Sequence, residues 1–443
     1  MKIRIEELLE RISRGEFSVS ELTENLVHRI EKFDPKVKSC KTMNTSATRE
    51  DAELRKGSEN KTRMTRLKGI PVSVKDLIDT KGIVTTYGSS IYSNHIPKKD
   101  ASVVTNIKKN GGVILCKTNT HEFALGIETP PTKNPWDLSR IPGGSSGGSA
   151  AALSADLAIF ALGTDTGGSI RIPASMCGIT GLKPTYGSIS VEGIFPESFS
   201  LDHVGPMCRF ASDLPLLLES IGYPRKINLT EKRLTVGVEK SFLEQSDDCV
   251  KSRINSFVDK CSSEGFVAVR EIELPNVDVI NNYHAIIDTS EIAYAHRNLY
   301  NAHKSKYLAT SVEQILVGQK NKVVDYINAL KYRETIIRQF NKIYEKVDVI
   351  ITPSLPRVAP KITEIKKMTH SELYPFVKFL ELFNYIGFPS ISFPCGFCSG
   401  LPVGVQLISK PWKEDLIISL ASRFQFVTDW HTRVPGGFRE LII

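Results

Sequence analysis

The first 60 residues of the chain place apolar side chains at the spacing of an amphipathic helix. This pattern is carried by Ile5, Leu8, Leu9 and Ile12, and a second stretch of the same kind runs over residues 20–30. Most of the positions between them are polar or charged. The pattern predicts a helical, largely polar segment over residues 1–60.

After this segment, the chain alternates short apolar runs with Gly-rich turns and helical patterns. Continuous apolar runs of strand length predict strands buried on both faces, with helices packed outside them. Such runs occupy residues 70–74, 113–116, 157–162, 234–238, 347–351 and 403–408. Residues 245–345 instead show helical spacing and carry no motif that indicates chemistry. Because the sequence contains no internal repeat and no evident linker, we expect a single large α/β domain.

Composition and charge narrow the class of protein. The chain has 443 residues, of which 41% are hydrophobic and 24% charged, as in globular proteins with a substantial core. It contains no apolar run of about 18 residues, and its first residues are acidic where a secretory leader would be apolar, so we expect a cytoplasmic protein. The net charge of +8 comes from scattered basic residues. This favours a solvated surface over nucleic-acid binding, although a tRNA-associated role stays open.

Eight cysteines are dispersed along the chain, and Cys395 and Cys398 form a C-x-x-C motif. A zinc site would need a second pair of ligands, which the sequence lacks. A thioredoxin-like site would need a helix directly after the first cysteine, but residues 399–402 read as a turn between strands. We therefore expect reduced thiols, with Cys395 and Cys398 as incidental turn residues, and neither a metal nor another cofactor.

Two Gly- and Ser-rich clusters, residues 143–150 and 163–171, flank one of the predicted strands. They are too short for linkers, and they match neither phosphate-binding glycine pattern. Gly144, Ser146 and Gly148 formally fit the G-x-S-x-G nucleophile elbow. That elbow requires a buried strand immediately before it, whereas a loop precedes this match, so we set it aside.

An acyl-transfer site explains the second cluster better. Gly167 and Gly168 allow consecutive backbone N–H groups to point at one place, which is what a tetrahedral oxyanion needs beside the nucleophile Ser169. A serine nucleophile requires a base, and no histidine lies near a motif that would define a Ser-His-Asp triad. Lys75 directly follows the predicted strand 70–74. A lysine withdrawn from water has a lowered pKa and can act as a base near neutral pH.

The same residues resemble the amidase signature family. The resemblance is close from about residue 67 to 210 and weaker at 389–394 and 400–407; its motifs are Lys75-Asp76, residues 143–148, 163–171, 177–185 and 200–206. It implies one three-layer α/β/α domain over residues 1–443, with a central mixed, mostly parallel sheet. Within it, residues 67–210 would be the catalytic core, 245–345 a variable helical region, and 347–435 the strands and helices that complete the sheet.

The resemblance also implies the roles of individual residues. Ser169 would be the nucleophile, and Ser145, preceded by a cis peptide bond, would relay its proton to the uncharged base Lys75. The oxyanion hole would consist of the N–H groups of Thr166, Gly167, Gly168 and Ser169. Supporting hydrogen bonds would come from Ser146, Asp165 and Arg171.

Two functions compete within this resemblance: a stand-alone amidase that cleaves a carboxamide through an acyl-enzyme, and the glutaminase A subunit of glutamyl-tRNA(Gln) amidotransferase, which supplies ammonia to a partner. Phe195-Pro196, Leu201-Asp202-His203 and a chain end soon after Trp430-His431 are similar to free amidases. We therefore expect an amidase with a small-molecule amide substrate, no required nucleic acid or membrane contact, and a homodimer as one option for assembly. Ester cleavage stays open, as does substrate size, because the loop 126–132 is short.

Overall fold

The computed structural model describes residues 3–47, 66–366, 368 and 370–439. Within these residues, eleven strands form one sheet in the order β1-β3-β2-β4-β6-β5-β10-β11-β9-β7-β8. The strands are β1 (Cys40–Met43), β2 (Pro71–Lys75), β3 (Val113–Thr118), β4 (Phe160–Asp165), β5 (Thr180–Lys183), β6 (His203–Cys208), β7 (Leu234–Glu239), β8 (Val267–Ile272), β9 (Val349–Pro353), β10 (Ser390–Cys398) and β11 (Leu401–Ile408). All six strand-length apolar runs of the sequence overlap one of them.

Helices lie before, between and after these strands. They are α1 (Ile5–Ser13), α2 (Val19–Val37), α3 (Ser102–Lys109), α4 (Gly147–Ser154), α5 (Arg171–Cys177), α6 (Leu214–Ser220), α7 (Lys240–Glu244), α8 (Asp248–Ser263), α9 (Val277–His303), α10 (Ala309–Gly318), α11 (Val323–Ile343), α12 (Ile362–Ile365), α13 (His370–Leu373), α14 (Glu381–Tyr385) and α15 (Glu414–Phe426). In the described part of the chain, no helix is both long and apolar enough to span a lipid bilayer.

The sheet is mixed, as expected, but it is not mostly parallel. Four neighbouring pairs run parallel (β2 with β3, β2 with β4, β7 with β8, and β7 with β9). The other six pairs are antiparallel. An apolar run indicates that a strand is buried without indicating its direction. Local sequence fixes the direction of one pair, β10 and β11, which are joined by the two-residue turn Ser399-Gly400 with positive φ at both residues. The other five antiparallel pairs join strands that no tight turn connects.

Alternate residues of single strands show that both faces of the sheet are covered. In β9, Val349 and Ile351 belong to one hydrophobic cluster with residues of α8 and α15. Ile350 belongs to a second cluster with residues of α9, α11 and α14. Successive side chains of a strand point to opposite faces, so helical layers lie on both sides of the sheet. This is the three-layer α/β/α arrangement that the sequence predicts.

Two predicted helical segments also contain a strand. Residues 40–43 of the N-terminal segment form edge strand β1, while residues 48–60 of that segment lie outside the described residues. Residues 267–272 form the opposite edge strand, β8, within the region 245–345. Strand β8 escaped the sequence pattern because only Val267 of its residues is fully buried, and an exposed edge strand needs no continuous apolar run.

The expectation that all cysteines are reduced is wrong for one pair. Cys249, at the start of α8, forms a disulfide with Cys398, at the end of β10, although 149 residues separate them. Cys398 is therefore not an incidental turn residue, whereas Cys395 is a buried free thiol. The pairing depends on the packing of α8 against β10, which no local spacing reveals. A disulfide that closes a long loop contributes typically about 2–4 kcal/mol to stability.

Candidate active site

The ends of two neighbouring parallel strands define the candidate site. Strand β2 pairs with β4 in the register Val72 with Phe160 and Val74 with Leu162. The carboxyl ends of both strands therefore meet at one edge of the sheet, where Lys75 ends β2. Parallel pairing of these two strands thus brings the predicted base close to the second Gly–Ser cluster.

The Lys75 amine donates hydrogen bonds to the Ser145 hydroxyl at 2.7 Å and the Thr164 hydroxyl at 2.6 Å. Lys75 is fully buried, and no carboxylate of the described residues lies within ion-pair distance of it. Burial lowers its pKa to about 7, an effect that the more distant carboxylates Glu197, Asp165 and Asp202 partly oppose. Near neutral pH a large fraction of this amine is unprotonated, as a base requires. The sequence did not single out Thr164.

Ser145 follows a cis Gly144–Ser145 peptide bond, the non-proline cis bond that the resemblance implies. Gly144 is restricted to glycine here because a Cβ would lie 2.4 Å from the carbonyl oxygen of Glu128. The carbonyl of Ser145 accepts a hydrogen bond from the His121 N–H at 3.3 Å. The Ser145 side chain is completely buried beside Lys75.

Ser169 lies in the turn between β4 and α5 with 7% of its surface exposed. The Ser146 N–H donates to its carbonyl at 3.1 Å, which ties the two Gly–Ser clusters together. The Ser169 hydroxyl donates to no described residue, so only the first link of the Lys75–Ser145–Ser169 relay is formed. Hydrogen bonds of catalytic groups often tighten only in complex with substrate.

The predicted oxyanion donors divide into two kinds. In the described structure the N–H groups of Thr166, Gly167 and Ser169 donate to no protein acceptor. The N–H of Gly168 instead donates to the Asp165 carboxylate at 2.9 Å. Gly168 is therefore engaged in holding the loop, which narrows the predicted oxyanion donors to the other three. The sequence could not reveal this, because the carboxylate of Asp165 folds back under its own loop.

Asp165 and Arg171 form a fully buried ion pair beneath the loop, joined by two contacts of 2.9 and 3.0 Å. Burial alone would raise the pKa of Asp165, but Arg171, Lys183 and the Asn384 amide hold it below its usual value. Asn384 and Gln406 also accept hydrogen bonds from Arg171, at 2.5 and 2.6 Å. Both residues are more than 200 positions away in sequence; Asn384 lies outside every motif, and Gln406 lies within the weaker stretch 400–407.

Ser146, the third predicted supporting residue, braces the end of β4. Its hydroxyl donates to the Thr164 carbonyl at 3.1 Å and accepts from the Thr164 N–H at 3.2 Å. Because Thr164 also holds Lys75, Ser146 connects the first cluster to the lysine. This buried, doubly bonded hydroxyl has no freedom to act as the nucleophile of the G-x-S-x-G pattern.

We expect Asp165→Asn to lower the free energy of unfolding by about 3–5 kcal/mol, because it leaves Arg171 charged and buried without its counter-ion. Denaturant titration measures the loss. The matched control is Asp137→Asn, which weakens a partly exposed pair with Arg140 at 3.0 Å and should change stability by less than about 1 kcal/mol. An equal effect of the two substitutions would contradict the bracing role of Asp165.

No group of three or more His, Cys, Asp or Glu residues in the described ranges has the geometry to hold a metal ion. The site instead combines a buried amine, two serines and free backbone N–H groups.

Comparison with known proteins identifies the family. A model of the amidase family matches residues 21–418, and the chain belongs to this family, the amidase signature enzymes. The A subunit of glutamyl-tRNA(Gln) amidotransferase from Acinetobacter baumannii is 37% identical, over 98% of this chain and 97% of its own length. The corresponding subunit from Thermodesulfovibrio yellowstonii is 36% identical, over 98% of this chain and 99% of its own.

Solved structures agree on the fold. A crystal structure of an amidase superposes with a TM-score of 0.87 at 28% identity, over 96% of this chain and all of that one. The A subunit of glutamyl-tRNA(Gln) amidotransferase from Thermotoga maritima superposes with a TM-score of 0.80 at 32% identity, over 95% of this chain and 93% of that one. The relatives therefore include both a structure described as an amidase and amidotransferase subunits.

Proposed function

We propose that the chain is an amidase that hydrolyses a carboxamide to a carboxylate and ammonia or an amine, through a Ser169 acyl-enzyme. The observation that carries the proposal is the fully buried Lys75 amine, which donates to Ser145 at 2.7 Å beside a loop with unengaged N–H groups. A base with a lowered pKa, a relaying hydroxyl and oxyanion donors are the parts that serine acyl transfer needs.

In the proposed reaction, one proton moves from Ser169 through Ser145 toward Lys75 and later returns to the leaving nitrogen. Lys75 takes a proton from Ser145 while Ser145 takes one from Ser169, whose oxygen attacks the amide carbon. The N–H groups of Thr166, Gly167 and Ser169 stabilise the oxyanion. As the intermediate collapses, the C–N bond breaks and the relay returns the proton to the leaving nitrogen. A water molecule then gives a proton to the same relay and attacks the acyl carbon. The bond to Ser169 breaks, the relay returns the proton to the Ser169 oxygen, and the carboxylate is released.

The second candidate function is the ammonia-supplying A subunit of a glutamyl-tRNA(Gln) amidotransferase, which works with a partner subunit. The observation that favours it is the similarity to amidotransferase A subunits along 98% of the chain. The chemistry at Ser169 would be the same, with glutamine as the amide and the ammonia passed on rather than released.

Ammonia release by the purified single chain separates the two candidates. We expect it to release ammonia from acetamide, benzamide or another simple carboxamide without any added protein. Heat-inactivated protein controls for spontaneous hydrolysis. If glutamine is the one amide that yields ammonia, and a second subunit and charged tRNA are required, the amidase proposal is overturned in favour of the amidotransferase subunit.

A further inference from the structure

Carboxyl side chains from three separate segments gather beside the 166–169 loop. They are Glu197 and Asp202 before β6, Asp288 and Glu291 in α9, and Glu381 at the start of α14. The Thr166 hydroxyl donates to Asp202 at 2.6 Å. The Glu381 carboxylate lies 3.9 Å from the place that a Cβ on Gly167 would occupy. The cluster therefore borders the loop that carries Ser169.

Helix α9 directs part of this cluster to the loop. His284 Nε2 donates to the Thr166 carbonyl at 3.1 Å, so this face of α9 contacts the loop. Asp288 and Glu291 follow His284 by four and seven residues, which places all three on one face of the helix. The spacing explains why two carboxylates from a region without a recognisable motif reach the candidate site.

The carboxylates differ in the number of hydrogen bonds that they accept. Asp202 accepts from the N–H groups of Glu197 and Ser198, and Glu291 accepts from three hydroxyls and one N–H, so both serve the local fold. In contrast, Glu197 Oε2 and Asp288 Oδ1 are buried and have no hydrogen-bond partner in the described structure. Only 8% of Glu197 is exposed. A buried carboxylate oxygen without a partner is costly, and so these two oxygens point to a ligand.

Among the described residues, no lysine or arginine forms an ion pair with Glu197, Asp288 or Glu381. Arg171 is paired with Asp165. Arg333 donates to the Ser200 carbonyl at 3.4 Å and lies over the Tyr385 ring, with no ion pair to the cluster. The pKa of Lys75 is lowered to about 7, so it supplies only part of a positive charge near neutral pH. The cluster thus carries an excess of acidic groups.

We propose that Glu197 and Asp288, together with Glu381, bind a cationic group of the substrate, so that the site prefers carboxamides carrying a primary ammonium over neutral ones. This inference rests on the amidase function proposed for Ser169 and specifies its substrate class. An ammonium has several N–H donors, which suits carboxylate oxygens arriving from three segments.

The carboxyl groups of the cluster hold their protons more strongly than ordinary carboxyls do. Burial, and then the neighbouring Asp202, raises the pKa of Asp288, while burial, Asp288 and Asp202 raise the pKa of Glu197. Burial raises the pKa of Glu381 to about 8. A bound cation favours the ionised form of each carboxyl, so these groups are poised to lose protons when an ammonium enters.

Calorimetric binding to the Ser169→Ala variant tests the proposal without turnover. The ligands are glycinamide, β-alaninamide, 4-aminobutanamide and 5-aminopentanamide, each compared with the neutral amide of the same chain length. We expect at least one cationic amide to bind ten-fold or more tightly than its neutral counterpart. Glu197→Gln or Asp288→Asn, added to this background, should remove that preference because each keeps the side-chain shape without the charge.

Glu334→Gln is the matched control, since it neutralises an exposed carboxylate on α11 whose nearest cation, Arg338, lies 4.0 Å away. It should leave the preference unchanged. Equal affinity within every pair, no binding of any cationic amide, or a preference that survives in whichever of the two variants folds would overturn the proposal.

Turnover by the unmodified chain separates this inference from the function on which it depends. If neutral and cationic amides are hydrolysed equally well, the amidase function stands and the cation site is refuted. If cationic amides bind selectively but no amide is hydrolysed, the cation site stands and the amidase function is refuted.

Discussion

Ser169→Ala is expected to lower kcat for amide hydrolysis by about 10⁴-fold or more, because it removes the proposed nucleophile from a loop with unengaged N–H groups. Ser145 and Ser146 are completely buried and hydrogen-bonded to their neighbours. Initial rates of ammonia release at saturating substrate measure the loss. The folded structure should persist, since the Ser169 hydroxyl makes no hydrogen bond within the described residues.

Ser175→Ala is the matched control for this substitution. Ser175 is a buried serine six residues further on, within α5, and its side chain lies against Gly404 of β11. Its removal should leave kcat within about two-fold. Near-normal turnover by Ser169→Ala, or an equal loss in both variants, would refute Ser169 as the nucleophile.

Lys75→Met should lower kcat by about 10³-fold or more, because it removes the proposed base while filling a similar volume. Lys75→Arg should not restore activity, since a guanidinium stays protonated and cannot accept a proton. Exposed Lys346 supplies the control: Lys346→Met should leave kcat unchanged. Activity of Lys75→Arg near that of the unsubstituted chain would contradict a base at this position.

The pH dependence tests the same assignment independently. The base must be unprotonated to act, and the pKa of Lys75 is lowered to about 7 by burial. Therefore kcat/KM should rise with pH and level off above about 7, and activity should be lost as pH falls below that value. Asp202, with a pKa raised to about 7 by burial, titrates in the same range. If Lys75 causes the rise in kcat/KM, that rise should be absent from the pH profile of the residual activity of Lys75→Met. An unchanged pH profile in this variant would assign the rise to another group.

Six strands could be predicted because each overlaps a mostly apolar run of strand length. These runs became β2, β3, β4, β7, β9 and β11, so their burial is encoded locally. Strands β1, β5, β6 and β8 escaped prediction, and β10 was expected only as the strand before the turn at 399–402. Edge strands β1 and β8 are partly exposed, and β6 contains Gly205 and Pro206, which weaken a strand pattern.

The candidate site was predictable to the extent that its residues lie in contiguous motifs. The two Gly–Ser clusters and Lys75 could be named because glycine conformations, a serine and a strand-end lysine are visible in sequence. Asn384 and Gln406 are more than 200 residues from Arg171, and nothing in the sequence indicates that they bind its guanidinium. Likewise, Asp288 joins the site only because α9 packs one face against the 166–169 loop.

The sequence by itself determined the burial of six strands, the serine that follows two glycines, and the lysine at the end of the strand before the site. These are properties of neighbouring residues, set by side-chain size, polarity and backbone freedom. Only the tertiary structure decided the directions of the strands, the Cys249–Cys398 disulfide, the engagement of the Gly168 N–H and the carboxyl cluster. Each of these depends on distances between segments far apart in the chain, and so does the burial that lowers the pKa of Lys75.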